Sequence, residues 1–600
     1  MNKKNLTIDE IFDLAYQNYQ KHNNNLTDNL CKNVLKLNPN HFPSIFLLGA
    51  VSVREKNYDS AQQLFQKVIK IKPDYVPAYN NLGAVYKEKG ELRKAVNCFM
   101  KTIEIQPEYA NGYYNLGNAL KELGEFEKAL NFYKKAVTYY QKGNQQGKDF
   151  ANTYCNLGNI EKDLGEFKNA AIYYKKAIEV QPNHVSAHNN LGLVFKDLGE
   201  FKKAINSFKK TIEIQANHTG AHNNIALAYK ESGEFQKATN SYLDALKYEP
   251  ENLFYYFHLV DLNNKVLDQN LRNKVIKVLA SNKSNKMNIA YGNYLLSKYE
   301  LKEKNYEKEF KHLIDGHHNY FESVSERYKK GADLWLNKLS KVNKLFNFEK
   351  IENNKNSEID LKPIFIVGVP RSGSTLIEKI IASGLKKIPT GEETGVLTFF
   401  FEKEQLFKKK LLNNNDIKNF KKKLLKIYRE KNLVEEKSNY ILTDKSLENF
   451  FYIDLIIKIF PQAKIIDCRR NVLSSIMSIF QNNLTGLSWA HNLEHIFQYF
   501  DNYFKITENY KKIYPNFIYE LEFEKLINDP EVESKKLLKF CNLPWSKNCL
   551  EYYKRKDIIS KTASNVQIRK AIYKHSKERY LPYKKFLDKY GSKYSWYKKI

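Results

Sequence analysis

A period of 34 residues runs through the first 250 positions of this 600-residue chain and leaves few folds open to it. Prolines Pro39, Pro73 and Pro107 lie 34 apart, and Pro182 and Pro250 follow at intervals of 75 and 68. Small residues keep the same beat: Gly49, Gly83, Gly117, Gly158, Gly192 and Ala226 step by 34, 34, 41, 34 and 34. The long step holds seven extra residues, around the polar stretch QKGNQQGKD. Each unit reads like AYNNLGAVYKEKGELRKAVNCFMKTIEIQP, which is two amphipathic helices of apolar period three to four, joined at a Gly-Glu turn and closed by Pro.

The small residue, the turn, the Ala before the second helix and the closing Pro recur in register. In this the stretch from about Ile8 to Pro250 resembles the tetratricopeptide repeat, over about six units. The resemblance implies an α-helical superhelix with a concave groove. Asn81, Asn115, Asn156, Asn190 and Asn224 hold one place in five successive units, two residues before the small residue. A side-chain amide offers both a donor and an acceptor to an extended peptide backbone, so a ladder of them reads as a sequence-tolerant peptide groove. The competing reading is that Asn accumulates in a Lys/Asn-rich chain and caps contacts between repeats; five in register favours the groove. Tyr86, Phe99, Phe132 and Phe208 read as repeat core.

Lysine and arginine exceed the acids by 30, but the excess is spread through the chain and is not read as a nucleic-acid surface. Six cysteines, Cys31, Cys98, Cys155, Cys468, Cys541 and Cys549, show no CxxC spacing, as expected in a reducing compartment. The N-terminus MNKKNLTIDEIFDLAYQ carries acids where a signal peptide needs an apolar core. No 18-residue apolar run occurs, so no membrane span and a cytoplasmic protein are expected. The domains read as a repeat array at 1–250, a helical spacer and linker at 251–355 containing KIENNKNSEIDLK, and a second domain at 356–600.

That second domain opens on PIFIVGVPRSGSTL, Pro363 to Leu376. PIFIVGV predicts a buried parallel strand and STLIEKIIASGL a helix. A strand, a Gly/Ser loop and a helix N-terminus in that order aim backbone N–H groups and the positive helix end at an anion. Arg371, Ser372, Gly373, Ser374 and Thr375 add a cation, three hydroxyls and a flexible residue. The lysine that nucleotide-hydrolysing loops place before their Ser/Thr is missing, because Ser374 stands there. PRSGSTL, up to Leu376, resembles the 5′-phosphosulfate loop of sulfotransferases that use 3′-phosphoadenosine 5′-phosphosulfate. The resemblance implies an α/β P-loop-like sulfotransferase domain with a mostly parallel sheet, that compound as co-substrate, and no required metal.

Further along, AKIIDCRRNVLSSIMSIF reads as a strand ending in Arg469 and Arg470, with Ser478 on the next helix. By the resemblance, Arg470 and Ser478 hold the donor's 3′-phosphate, a role that suits arginine's planar fork. GEET, Gly391 to Thr394, and LTDKSLENF, carrying Lys445, resemble the tyrosylprotein sulfotransferases and their bacterial relatives fused to tetratricopeptide arrays. This implies Glu393 as the base taking the acceptor hydroxyl proton, with Arg371 and Lys445 stabilising charge on the transferring group. Glu393 is separated from Glu392 only by the family pattern, and either glutamate also fits a helix N-terminal carboxylate. TASNVQIRKAIYKHSKERY resembles the segment that folds over the donor, which assigns Ser564, Lys570 and Arg579 to the donor site. The chain departs from the eukaryotic pattern at Asp444 and Ser446, where those enzymes have KDP, and at Phe523, where they have tyrosine.

HNLEH, His491 to His495, fits a zinc-peptidase spacing, and His184 and His188 share an i, i+4 spacing; both are read as structural. The expectation is a sulfotransferase that modifies a hydroxyl, first a tyrosine of a protein or peptide held in the repeat groove. The alternatives are a carbohydrate, lipid or small-molecule acceptor, a peptide-binding scaffold with a non-catalytic nucleotide-binding domain, and a kinase-like phosphate transferase. The oligomeric state is not legible.

Overall fold

The computed structural model describes residues 6–144, 147–281, 285–344, 347–348, 361–384, 388–398, 411–412, 414–430, 433–434, 441–555 and 580–599. Two compact units divide at Gln215 and Ala216.

The first unit is a run of six helix pairs, from Ile8–Gln20 with Asn24–Leu37 to Val185–Asp197 with Phe201–Ile214, each helix packed on the next. A tetratricopeptide superhelix is therefore what the period encodes. The small residue has a steric cause. A Cβ added at Gly49, Gly83, Gly117 or Gly158 would stand 2.6 Å from the ring of Phe65, Phe99, Tyr133 or Tyr174 on the second helix of the pair. These rings are buried, and each contributes about 1.5–3 kcal/mol. Thirty-four residues before Gly49 stands Ala15, facing the register of Cys31 instead of a ring, so the first pair trades a larger small residue for a smaller partner. Tyr86, Phe99 and Phe208 lie in the core as expected. Phe132 is only half-buried, stacked on Tyr113, because the neighbouring Tyr133 takes the core position. The turn is closed by Gly90, at φ 75°, whose N–H donates to the Lys87 carbonyl (2.9 Å) while the Glu91 N–H donates to that of Tyr86 (2.8 Å).

The second unit opens with a seventh helix pair, Thr219–Ser232 and Phe235–Tyr248. The helices that follow, among them Leu253–Leu262, Lys286–Lys302 and Tyr306–Ser323, share one apolar cluster with the sheet of the α/β part, from Leu253 through Phe365 and Ile465 to Leu587. Polar ties cross the same seam. His317 and His491 meet Nδ1 to Nδ1 at 3.0 Å, His317 Nε2 bonds the Phe480 carbonyl (2.6 Å), and Tyr583 donates to the buried Glu309 (2.5 Å). The linker KIENNKNSEIDLK lies almost wholly outside the described residues.

Four parallel strands form the sheet: β1 (Ile364–Gly368), β2 (Thr443–Asp444), β3 (Lys464–Arg469) and β4 (Ile518–Glu522), in the order β2-β1-β3-β4. Ile364 and Ile366 pack into one cluster with Ile377, Ile380 and Leu521, whereas Phe365 and Val367 pack into the other. Both faces are covered, which is why β1 reads as an unbroken apolar run. The loops after β1, β2 and β3 carry PRSGS, Lys445 and Arg470, so they gather at the carboxyl edge, where open parallel sheets bind ligands.

Candidate functional site

β1 ends at Gly368, and the loop runs through Arg371 at φ 70° and Gly373 at φ 93° into the helix Ser374–Ala382. A left-handed arginine is uncommon; it sits here where the chain reverses to aim the helix N-terminus at the sheet edge. Gly373 is fixed from outside as well. An added Cβ would stand 2.2 Å from Cδ2 and 2.6 Å from Cε2 of Phe523, a buried ring at the end of β4. Ser372 is fully buried, and its Oγ finds no hydrogen-bond partner among the described residues. A buried hydroxyl with no partner among the described residues, at the start of a helix, fits an anion in the loop.

The two arginines after β3 divide their tasks. Arg469 is held in the interior by Asp467 (2.8 Å) and Thr507 (2.8 Å), reaches Glu508 (3.1 Å), and lies over Tyr503 (4.8 Å) and Phe504 (5.1 Å). Arg470 turns the other way. Its Nη1 donates to the Arg371 carbonyl (2.9 Å) and its guanidinium stacks over Phe523 at 5.1 Å. Arg371 Nε in turn donates to Ser478 Oγ (3.0 Å), on the helix Val472–Phe480 that follows β3. Arg371, with Arg470 and Ser478 about a hundred positions further along the chain, thus forms one contiguous cationic edge. Phe523 underlies both Gly373 and Arg470, which gives a physical role to the position where the sequence departs from the tyrosine pattern.

GEET is stitched beside β2. The Gly391 N–H donates to the Thr443 carbonyl (2.8 Å), and a Cβ at Gly391 would come within 2.3 Å of that oxygen. The Lys445 N–H donates to the Glu392 carbonyl (2.7 Å), and Glu392 adopts φ 51°. Lys445 is fully buried, and its Nζ reaches Glu393 Oε1 at 3.1 Å, whereas the Glu393 side chain is 56% exposed. Burial alone would lower the Lys445 pKa, but Glu393, Glu378 and Glu392 outweigh it and hold the ammonium above the ordinary lysine value. Glu378, on the helix leaving the anion loop, accepts from Thr443 Oγ1 (2.8 Å) and the Glu392 N–H (3.1 Å), linking the loop to GEET. Burial, with Glu393 and Asp444 nearby, pushes the Glu448 carboxyl up to about 7. Glu378 was not legible as a site residue, because a lone glutamate in an apolar helix carries no spacing signal.

Ser374 and Thr375 are buried in the first turn of the loop helix, and Leu376 packs toward the Ile377 cluster. Ser564, Lys570 and Arg579 lie outside the described residues. His491 ends a short 3₁₀ turn and His495 begins the helix Leu493–Ile513, so they do not share one helix face; His491 bonds His317 and Tyr328. His184 caps its helix by accepting from the Ala187 N–H (3.1 Å), and His188 bonds the Pro182 carbonyl (2.9 Å).

In the first unit the repeated asparagines are half-buried, and several touch across repeats. Asn115 donates to Asn80 (2.8 Å), Asn156 to Asn118 (2.9 Å) and Asn190 to Asn159 (3.0 Å), while Lys121 donates to Asn156 (3.2 Å). One amide hydrogen of each donor therefore holds neighbouring repeats together, as the competing reading expects, and the Asn156 oxygen is taken by Lys121. Asn224 occupies the same register on Thr219–Ser232 in the second unit.

Comparison with known proteins finds relatives for both parts of the chain. Residues 363–547 match the sulfotransferase family, and residues 49–90, 78–142, 149–217 and 219–252 match tetratricopeptide repeats. The chain thus joins a tetratricopeptide array to a sulfotransferase-family domain. A protein of Aquifex aeolicus (strain VF5), itself described as uncharacterized, is 32% identical over 315 residues, which is 50% of this chain and 40% of that relative. Among solved structures, MamA is 25% identical over 28% of this chain and 95% of its own (TM-score 0.26). YrrB, described as a TPR protein with an unusual peptide-binding site, is 21% identical over 33% of this chain and 97% of its own (TM-score 0.28). Among the described residues, no helix is long and apolar enough to cross a membrane.

Proposed function

We propose that the chain transfers a sulfuryl group from 3′-phosphoadenosine 5′-phosphosulfate to an acceptor hydroxyl, with a tyrosine of a protein or peptide as the first acceptor. The observation that carries this reading is the continuous edge Arg371–Ser478–Arg470 beside a loop containing a buried Ser372 hydroxyl with no partner among the described residues. A nucleotide with phosphates at the 5′ and 3′ positions of its ribose needs two anion sites, and this reading gives one to the loop and the other to the Arg470–Ser478 pair. The donor supplies a sulfate activated by a phosphate leaving group.

The chain's own groups then have separable tasks. The helix N-terminus, Ser372 and Ser374 bind the 5′ end, and Arg470 and Ser478 bind the 3′-phosphate. Arg371 contributes fixed positive charge at the loop, where charge develops on the leaving oxygen. The buried Lys445 ammonium contributes the second cation. The Glu393 carboxylate, exposed to solvent, takes the acceptor proton. Glu393 is paired with Lys445 in the resting chain, so charge arriving beside Lys445 loosens that pair and frees the base. Ser564, Lys570 and Arg579 belong to this reading through the family resemblance. The array, through Asn81, Asn115, Asn156, Asn190 and Asn224, presents the acceptor polypeptide.

The test is incubation of the full chain with ³⁵S-labelled donor and a tyrosine-containing peptide library, with and without Glu393→Gln. Label on tyrosine that falls at least about a hundredfold in the variant, while 3′,5′-adenosine bisphosphate still binds, supports the proposal. Label only on a glycan or small phenol removes the tyrosine acceptor. Nucleotide binding without transfer to any hydroxyl favours a non-catalytic scaffold.

A further inference from the structure

Asp444 is one of the residues at which the sequence departs from the family pattern, and it is the polar hub of the site. It ends β2 at 1% exposure, and four donors converge on its carboxylate. Oδ2 accepts from Thr394 Oγ1 (2.6 Å) and the Tyr428 hydroxyl (2.7 Å). Oδ1 accepts from the Ser446 N–H (3.0 Å) and Asn449 Nδ2 (3.3 Å). These donors come from the GEET segment, the helix Asn414–Glu430, the chain just past Lys445, and the 3₁₀ turn Leu447–Tyr452. The cross-links continue outward: the Gly395 N–H donates to Ser446 Oγ (2.8 Å), and Thr394 and Ser446 hydroxyls meet at 3.2 Å.

We infer that Asp444 is a positioning residue for the transfer reaction: through Thr394 and Ser446 it sets the geometry between Glu393 and Lys445. The inference rests on the proposed sulfuryl transfer for its kinetic consequence. The chain connectivity carries the argument. Thr394 follows Glu393 directly, and Lys445 lies between Asp444 and Ser446, so one carboxylate anchors the backbone on both sides of the pair. Two segments tied to one buried carboxylate, one through the Thr394 hydroxyl and one through the Ser446 N–H, have little freedom to move independently, because both bonds end on the same group. A site residue held loosely by about 1 Å loses about a hundredfold in rate, which is the scale this hub controls. It also explains why hydroxyl residues stand at 394 and 446 rather than apolar ones: Thr394 gives the buried Asp444 carboxylate a donor, and Ser446 Oγ gives the Gly395 N–H an acceptor.

The experiment compares Asp444→Ala, Asp444→Asn and Thr394→Val in the full chain by three readouts: kcat, affinity for 3′,5′-adenosine bisphosphate, and acylation of individual lysines by an amine-reactive ester read by mass spectrometry. In the wild type, the buried Lys445 and Lys379 are both protected. The expected result for Asp444→Ala is a kcat about a hundredfold lower, with bisphosphate affinity within threefold and Lys445 labelled at least tenfold faster while Lys379 stays protected. Asp444→Asn recovers part of both effects, because the Thr394 and Tyr428 hydroxyls can turn to accept from the amide. Thr394→Val, which removes one of the four bonds, gives an intermediate loss and serves if Asp444→Ala does not fold. Labelling of Lys445 and Lys379 in parallel means general loosening and overturns a positioning role, as does unchanged Lys445 protection in every variant. Faster Lys445 labelling in a chain that shows no turnover in the wild type upholds the hub and instead overturns the proposed transfer.

Discussion

Replacing Gly373 by alanine separates the two forces that shape the anion loop. The first is conformational: Gly373 holds φ 93°, and an L-residue in left-handed backbone costs about 1–2 kcal/mol. The second is steric. The new Cβ lands 2.2 Å from Phe523 Cδ2, more than an ångström inside ordinary contact, against a buried ring that also carries Arg470 on its face. Overpacking of that kind costs about 1–3 kcal/mol, so the total is about 2–5 kcal/mol. If the loop keeps its path, that sum is lost from the unfolding free energy, measurable by urea titration followed through tryptophan fluorescence. If the loop yields, Gly373 leaves its place before the helix, and affinity for 3′,5′-adenosine bisphosphate falls at least about thirtyfold, since about 1.4 kcal/mol is a factor of ten. Adding Phe523→Ala to Gly373→Ala removes the clash but not the backbone term, so the pair of changes restores part of the affinity. Unfolding free energy within about 0.5 kcal/mol of wild type together with unchanged nucleotide affinity would refute the reasoning.

The two arginines after β3 are expected to fail differently. Arg470→Lys lowers bisphosphate affinity at least about tenfold with little change in stability, because a lysine cannot span the Arg371 carbonyl and a phosphate at once. Arg469→Lys destabilises the fold and leaves nucleotide affinity nearly intact, because its partners are Asp467, Thr507 and Glu508. Both are read by calorimetry and urea titration on the same preparations. Glu448 predicts a pH effect. Its carboxyl is raised from 4.5 to about 7, so the fold favours the neutral form; that contribution is complete below about 4.5 and lost as pH rises to about 7. Glu448→Gln therefore raises the melting temperature at pH 8 and leaves it unchanged at pH 4.5; an equal shift at both values contradicts the assignment.

The repeat array was legible because its cause is periodic. A ring 16 residues after each small residue demands that small residue, and both recur every 34 positions except across the insertion. The β1 strand and its loop were legible because burial on both faces leaves a continuous apolar run that a Gly/Ser turn must end. Less of the site could be read. Arg469 and Arg470 are adjacent and chemically identical, and only the packing of Asp467 and Phe523 around them separates the interior one from the one at the loop. Asp444 stood out merely as a mismatch to a pattern, because the four donors that define its task come from segments up to 50 residues away. Glu378 showed no signal at all. The spacer leaves the 34-residue register for a physical reason: its first helix, Leu253–Leu262, still packs on the last repeat, but its described helices share the core of the sheet.

In the proposed reaction, Arg371 with its loop and Arg470 with Ser478 hold the two ends of one nucleotide. Calorimetry of the full chain with 3′,5′-adenosine bisphosphate and with ADP tests it most directly. The expected result is that the bisphosphate binds at least about tenfold more tightly than ADP, and that Ser478→Ala together with Arg470→Ala abolishes this preference while leaving the weaker ADP binding in place. Equal affinity for the two nucleotides, or a preference that survives the loss of both side chains, would contradict it.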